Sequence, residues 1–516
     1  MYPSEQARIR PNAAAFIMAE TGETVSYAEL EMRSNKVAHL LRANGLKRLD
    51  HFSIFMENNS RYVEVCCAGE RAGLYYTPVN SFLTAEELAY ILTNSKSKVL
   101  VTSAEKLDVA RAAIALCAAV SLCLVVGGQD ESARIRGYEA AIANQSGDPI
   151  ADEALGVAML YSSGTTGRPK GILRPLPDQP PSQMLPLFVF LQKLWLYRES
   201  MIYLSPAPLY HSAPQGAVGL TIRMGGTAVI MERFDPENYL RLVEKYRITH
   251  SQLVPTMFSR MLKLPEDVRG KYDLSSLEVV VHAAAPCPVP VKEEMIKWWG
   301  PVIHEYYAAT EGLGCSVCNS EEWLAHRGTV GKVVLGELQV LDDEMKPCPA
   351  GTSGTLWFKT ATPFEYFDDP GKTTEARSAD GSMSTVGDVG YVDDDGFLYL
   401  TDRATFMIIS GGVNIYPQEC ENLLITHPKV ADAAVFGVPN ADLGEEVKAV
   451  VQPMPGVEIG REFEKELIAF CGQHLSRQKV PRSVDFTAEL PRLPTGKLYK
   501  RVLRDRYWGD RRSRIV

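Results

Sequence analysis

Between residues 200 and 310, short apolar runs at 201–206, 227–231, 249–254, 277–281 and 302–307 alternate with stretches of helical period at 236–246 and 289–299. Runs this short and this apolar suit strands buried on both faces. Their alternation with amphipathic helices predicts a largely parallel sheet covered by helices. Earlier residues repeat the theme, with strands at 98–102 and 122–126 and a helix at 26–44 that sets Ala28, Leu30, Val37, Leu40 and Leu41 on one side. Two α/β layers are expected. A chain of 516 residues is too long for one core. From about 329 to 402 the helical period vanishes and short strands alternate with turn chemistry such as Asp393-Asp394-Asp395-Gly396, which predicts a small β-rich unit. After Arg403 the pattern is mixed, with strands at 405–409, 433–438 and 483–486 and helices at 417–426 and 462–474. The fold class is therefore α/β. A large N-terminal domain, 1–402, contains the β-rich unit, and a smaller α+β domain, 403–516, follows.

Composition removes several function classes. Lys and Arg total 54 against 63 Asp and Glu, a net charge of −9, so no general grip on nucleic acid is expected. Ten cysteines are scattered, and Cys315 and Cys318, the pair at metal-ligand spacing, have no second pair, which favours structural thiols over zinc. The opening MYPSEQARIR has no basic segment leading into an apolar one, so no secretory signal is expected, and unpaired thiols fit a cytoplasmic location. The apolar stretch 112–126 falls short of the roughly 20 residues that span a bilayer and reads as a helix running into a buried strand. No repeat of 20 to 50 residues is evident, and the proline-rich run 175–186 reads as an exposed loop. Monomer and homodimer both remain open.

In an open α/β sheet, ligands bind beyond the carboxyl ends of the strands. Those ends carry Tyr210 and His211, then residues 283–286, then Thr310, Glu311 and Gly312, so an imidazole, a hydroxyl and a carboxylate share one edge. The apolar run 157–160 leads into Tyr161-Ser162-Ser163-Gly164-Thr165-Thr166-Gly167-Arg168-Pro169-Lys170-Gly171. Glycines admit a polyanion to the backbone, hydroxyls and N–H groups donate to phosphate oxygens, and Lys170 adds a point charge. The spacing is not that of a Walker A loop, and Pro169 precedes the lysine.

These motifs, with Ala283-Ala284-Ala285-Pro286, Tyr307-Ala308-Ala309-Thr310-Glu311, Thr385-Val386-Gly387-Asp388, Asp402-Arg403 and Pro494-Thr495-Gly496-Lys497, stand in one order along nearly the whole chain. On them the chain closely resembles the adenylate-forming superfamily of acyl-CoA synthetases, 4-coumarate-CoA ligases, firefly luciferase and peptide-synthetase adenylation domains. The resemblance implies that Ser162, Ser163, Gly164, Thr165, Thr166, Gly167 and Lys170 hold the β- and γ-phosphates of ATP. It places His211 beside the substrate carboxylate and Ala283, Ala284, Ala285 and Pro286 next to adenine. Tyr307 and Ala308 would also meet adenine, Thr310 the α-phosphate, Glu311 Mg²⁺, and Asp388 and Arg403 the ribose. Lys497 would serve adenylation, which the resemblance alone implies, since a lysine in such a loop is by default exposed. Ser410, Gly411 and Gly412 would border the pantetheine of coenzyme A. The smaller domain would be mobile, pivoting at Thr405 between the two half-reactions.

The implied activity is ATP-dependent carboxylate–CoA ligation through an acyl-adenylate. Its small-molecule substrate would be an apolar monocarboxylic acid that is fatty, steroid side-chain or aryl. Alternatives are an acyl-AMP ligase serving a carrier protein and amino-acid adenylation, the latter disfavoured because Ser212, Ala213 and Pro214 offer no charge to an amine. Three departures stand out. The segment Asp402-Arg403-Ala404-Thr405-Phe406 lacks both charges usual at the hinge, and Ala283 and Ala308 stand where glycine is common. For residues 184–195, rich in Leu, Phe and Trp, an acyl-tunnel lining and a core helix are both open.

Overall fold

The computed structural model describes residues 1–128, 132, 134–162, 169–359, 364–403, 406–410, 413–440, 442–492 and 498–508. The chain is mixed α/β and divides into two compact units, one of residues 1–252, 264–280 and 364–373, the other of 253–263, 281–363 and 374–516.

The first unit holds the expected layers. One sheet runs in the order Ile135–Gly137, Leu122–Val126, Ser97–Ser103, His51–Phe55, Tyr75–Pro78, Val157–Ala158, and every pairing is parallel. Phe55, Leu88, Leu92, Leu100, Ile114 and Val125 form the core between this sheet and the helices Ala85–Asn94 and Leu107–Leu116. Of the stretch 112–126, the first part is thus helix and the last a buried strand. A second sheet pairs Thr227–Ile230 in parallel with both Ala14–Met18 and Ile202–Ser205, and Ile202–Ser205 in turn pairs in parallel with His250–Leu253.

Helix Tyr27–Ala43 shows how local sequence sets an element. Ser26 Oγ accepts from the Glu29 N–H at 3.2 Å and caps the start, and Leu30, Val37, Leu40 and Leu41 are buried along one face. Truncating Leu41 to Ala would cost about 3 kcal/mol. Ala28 is exposed, however, and Tyr27 takes the buried place expected for it.

In the second unit, Ile303–Ala308 pairs antiparallel with Cys315–Cys318, and that strand with Lys332–Leu335. Burial pushes the Cys315 thiol up to about 11 and the Cys318 thiol up to about 12. Glu337–Leu341, Gly354–Lys359, Asp388–Val392 and Leu398–Arg403 form a four-stranded antiparallel sheet, the expected β-rich region. The C-terminal sheet orders Val413–Ile415, Ile408–Ser410, Gly444–Pro453 and Val430–Asn440, with Ser483–Phe486 parallel to Gly444–Pro453. Helices Pro417–Thr426 and Arg461–His474 cover it through Leu424, Phe463 and Leu467. The strand expected at 405–409 is observed at Ile408–Ser410, and the one expected at 277–281 at Val279–His282. In the latter, the Leu277 N–H bonds back to Leu274 O in a turn, which delays the strand. Among the described residues, no helix is long and apolar enough to cross a membrane.

Candidate active site

The first unit presents two of the expected groups. Strand Leu160–Ser162 turns back on Lys170–Leu173 as an antiparallel pair with Lys170 opposite Ser162. Ser163, Gly164, Thr165, Thr166 and Gly167 lie outside the described residues. The flanks are fixed: the Tyr161 hydroxyl donates to Asn94 Oδ1 at 2.6 Å, Tyr90 donates to Pro169 O at 3.2 Å, and Lys170 Nζ lies 4.5 Å from the Tyr366 ring centre. A Cβ on Gly171 would fall 2.6 Å from the terminal methyl of Met159 and 3.1 Å from the Tyr161 ring, so a side chain there would need both to give way.

Beyond strand Ile202–Ser205 the chain reaches Tyr210, which is buried, and half-buried His211, with ring centres 4.4 Å apart. Burial pushes the Tyr210 phenol well up and keeps it protonated. His211 directly precedes helix Ser212–Arg223, whose first turn holds no acidic residue. An anion beside it would meet the favourable end of the helix dipole. The loop is held by a residue that sequence reasoning missed. Asn58, buried, donates to Ala207 O at 3.2 Å and Met231 O at 2.8 Å and accepts from the Leu209 N–H at 2.8 Å. A lone Asn some 150 positions away carries no signal of this in sequence.

Residues 186–194 do form a helix, Pro186–Leu194, but none of its residues is buried, so it is no core helix. Phe188 stands 3.8 Å from where a Cβ on Gly216 would lie, facing the helix that follows His211.

The second unit presents the remaining described groups. Tyr307, half-buried at the end of strand Ile303–Ala308, donates its hydroxyl to Asp388 Oδ2 at 2.7 Å. Asp388 opens strand Asp388–Val392, and residue 403 is its register partner. The Arg403 side chain lies outside what is described. Ala308 is exposed, Ala309 and Thr310 are half-buried, and Glu311 is buried in the turn closed by the Gly312 N–H on Ala309 O at 2.9 Å. A carboxylate is the hard oxygen ligand that Mg²⁺ prefers, so Glu311 fits the ion that the resemblance implies. After strand Val279–His282, Ala283 is buried, Ala284 exposed, Ala285 half-buried and Pro286 exposed. The unusual backbone falls on Ala284, with φ +75°, rather than on Ala283 or Ala308. An L-residue in that region costs on the order of 1–2 kcal/mol.

Thr405, Gly411, Gly412 and Lys497 lie outside the described residues. Their described neighbours are informative. Ser410 pairs with Val413 and Gly444, and Arg492 forms an antiparallel bridge with Leu498. Lys500, buried, lies 2.8 Å from Glu421 Oε1 and 5.2 Å from the centre of the Phe406 ring, so the residue after the expected pivot meets the segment after Lys497. Glu421 Oε1 also accepts from the Val435 N–H at 2.6 Å.

Comparisons with known proteins cover almost the entire chain. Residues 3–366 match the AMP-binding enzyme family and residues 419–497 the AMP-binding enzyme C-terminal domain. A long-chain-fatty-acid–CoA ligase of Mycobacterium tuberculosis is 29% identical over 517 residues, covering 98% of this chain and 97% of that protein. A fatty acid–[acyl-carrier-protein] ligase of Streptomyces coeruleorubidus is 31% identical over 510 residues, covering 96% and 94%. The crystal structure of ATP-bound MatB from Rhodopseudomonas palustris superposes with a TM-score of 0.79 at 28% identity, covering 99% of each chain.

Proposed function

Because the chain belongs to the AMP-binding enzyme family, we propose that it is an ATP-dependent carboxylate–CoA ligase acting on an apolar monocarboxylic acid of fatty, steroid side-chain or aryl type. The observation that carries this reading is the Tyr307–Asp388 hydrogen bond, which joins the expected adenine-stacking ring to the expected ribose-binding carboxylate. The neutral first turn after His211 supports a substrate with one carboxylate and no amine.

In the first half-reaction a carboxylate oxygen attacks the α-phosphorus of ATP, and the bond to the β-phosphate oxygen breaks to release pyrophosphate. A carboxylate is a weak nucleophile, so the barrier is lowered by in-line positioning and charge neutralisation rather than by an acid–base pair. Residues 162–167 and Lys170 bind the β- and γ-phosphates, Thr310 the α-phosphate, and Lys497 neutralises charge as it develops. His211 orients the acid. The 283–286 turn, Tyr307 and Ala308 hold adenine, while Asp388 and Arg403 hold the ribose. Glu311 would hold Mg²⁺, which supplies Lewis-acid stabilisation of phosphate charge when bound. In the second half-reaction the thiol of CoA attacks the acyl carbonyl, the thioester forms as the acyl–AMP bond breaks, and AMP leaves. Between the two, the region from 403 onward turns about Thr405, and Ser410, Gly411 and Gly412 line the pantetheine path.

Delivery to a carrier protein is the second reading, favoured by the likeness to the Streptomyces ligase. Pyrophosphate release is measured across fatty, steroid side-chain, aryl and amino acids, with CoA, with a phosphopantetheinylated carrier protein, and with neither. The expected result is CoA-dependent thioester, with an apolar acid preferred over any amino acid by at least about tenfold in kcat/KM, or about 1.4 kcal/mol. Thioester formed on the carrier alone, or comparable turnover of a free amino acid, overturns it.

A further inference from the structure

One buried charge pair has no part in the chemistry above. Lys292, wholly buried in the first turn of helix Val289–Trp299, donates from Nζ to Glu305 Oε2 at 2.5 Å. The same oxygen lies 3.5 Å from His282 Nε2. His282 is the last residue before the 283–286 turn, and Lys292 lies on the helix that leaves it. One carboxylate oxygen therefore bonds the flank after that turn and packs against His282 on the flank before it, where neither ring nitrogen makes a hydrogen bond among the described residues. Aromatic rings close the cluster: Trp323 stands 4.8 Å from the Lys292 ammonium, and Phe258 meets the edge of His282 with ring centres 5.3 Å apart. Burial holds His282 neutral and pushes the Glu305 carboxyl and the Cys287 thiol up, with Lys292 opposing the shifts of the last two.

A buried ion pair is a poor device for stability alone, because desolvation offsets its Coulombic gain and apolar side chains of similar volume do as well. The turn beside it supplies a different use. Ala284 holds φ +75°, a conformation that an L-residue keeps only when its surroundings over-determine it. Ala284 is itself exposed and offers little to grip, so the restraint has to come from the flanks.

We propose that Lys292 and Glu305 are positioning residues that clamp the strained 283–286 turn in its nucleotide-facing shape. The inference rests on the reading of that turn as an adenine contact. Glu305 also lies two residues before Tyr307, on the same side of strand Ile303–Ala308, so the clamp ties the turn to the strand that carries the expected adenine-stacking ring.

The test uses the full-length enzyme, with ATP and acid titrated separately in the pyrophosphate-release assay. Lys292→Met combined with Glu305→Leu removes both charges at similar volume and leaves no buried charge unpaired. KM for ATP is expected to rise about tenfold or more, with KM for the acid within about twofold and the thermal midpoint nearly unchanged. Adding Ala284→Gly, which accepts φ > 0 without strain, is expected to return KM for ATP to within about threefold of the starting enzyme. A merely structural role would not respond to that change. Parallel rises in both KM values, or no recovery with Ala284→Gly, overturn the clamp. If the double variant does not fold, Glu305→Gln gives the same readout at about threefold. Ala285→Leu alone tests the underlying reading: an unchanged KM for ATP overturns the adenine assignment, and the clamp's purpose with it. A raised KM there, beside a normal KM in the chargeless variant, overturns the clamp alone.

Discussion

The loop that carries His211 and the turn that contains Ala284 both continue the carboxyl end of a strand, yet opposite chemistry holds them. In the first unit a neutral amide, Asn58, bonds three backbone groups. In the second, a fully buried ion pair meets the two flanks of a strained turn. The amide satisfies backbone atoms that would otherwise be buried without partners, so it contributes to stability directly. The ion pair contributes little net stability and mainly fixes position. Loss of the first is therefore expected to be felt in folding and in handling of the acid, and loss of the second in handling of ATP.

The largest expected effect separates the chemical step from both holds. Lys497→Ala should lower acid-dependent pyrophosphate release by about a thousandfold while leaving conversion of a supplied acyl-adenylate and CoA within about threefold. Equal loss of both half-reactions would remove Lys497 from the adenylation step, and adenylation rates could then no longer compare the two loops.

Asn58→Leu tests the neutral hold. It leaves the Ala207 and Met231 carbonyls and the Leu209 N–H without their partner, which should cost about 3 kcal/mol in urea unfolding. KM for the acid should rise about tenfold and KM for ATP less than about twofold. A rise in KM for ATP as large as that for the acid would break the division of labour.

Acid sharpens the comparison, because each unit contains a histidine that burial keeps neutral. His51, stacked 4.8 Å from Tyr75, is lowered to about 4 by burial, with Lys96 and Lys98 assisting and Asp50 opposing. His282 is also held well below its ordinary value. The unfolded chain protonates such a histidine near pH 6.5 and the folded chain only at lower pH, so the unfolded state binds more protons in between. Stability is therefore retained above about pH 6.5 and lost as the pH falls; for His51 the loss runs down to about pH 4 and amounts to about 3 kcal/mol. His51→Phe, which keeps the stack, should flatten the slope of unfolding free energy across that window. An unchanged slope would assign the loss to other groups, among them His282, His304 and His427 of the second unit, which burial also lowers.

Neither hold is legible in the sequence, although much of the frame is. Helices 236–246 and 289–299 follow from spacing because each buries a stripe of its own residues. Strand Gly444–Pro453 escapes notice because Glu445 and Lys448 look solvated, whereas both are buried and partnered, Glu445 Oε2 by the Ile409 N–H and Lys448 Nζ by Asp485 Oδ1. Helix Lys500–Trp508 is hidden the same way, its basic residues reading as a solvated face although Lys500 is buried against Glu421. The motifs mark residues expected to meet a ligand. The residues that hold those motifs, Asn58, Lys292 and Glu305, act through partners distant in sequence or through charges that local pattern assigns to the surface.

The smallest expected effect concerns two residues with nearly the same backbone conformation. Gly387, before Asp388, has φ +78°, and a Cβ added there would meet nothing within 4 Å, so glycine serves that turn through its conformational freedom alone. Ala284 has φ +75° with its methyl in place. Gly387→Ala should therefore destabilise the protein by about 1 kcal/mol, with no steric clash to raise the figure. Ala284→Gly relieves strain of the same size but adds conformational entropy to the unfolded chain, and the two nearly cancel, leaving a net change within about 0.5 kcal/mol. Urea midpoints of the two variants measure the difference. If Ala284→Gly costs 1 kcal/mol or more, about the ordinary cost of glycine for alanine, residue 284 carries no strain, and the contrast between a turn shaped by its own residue and one shaped by its neighbours disappears.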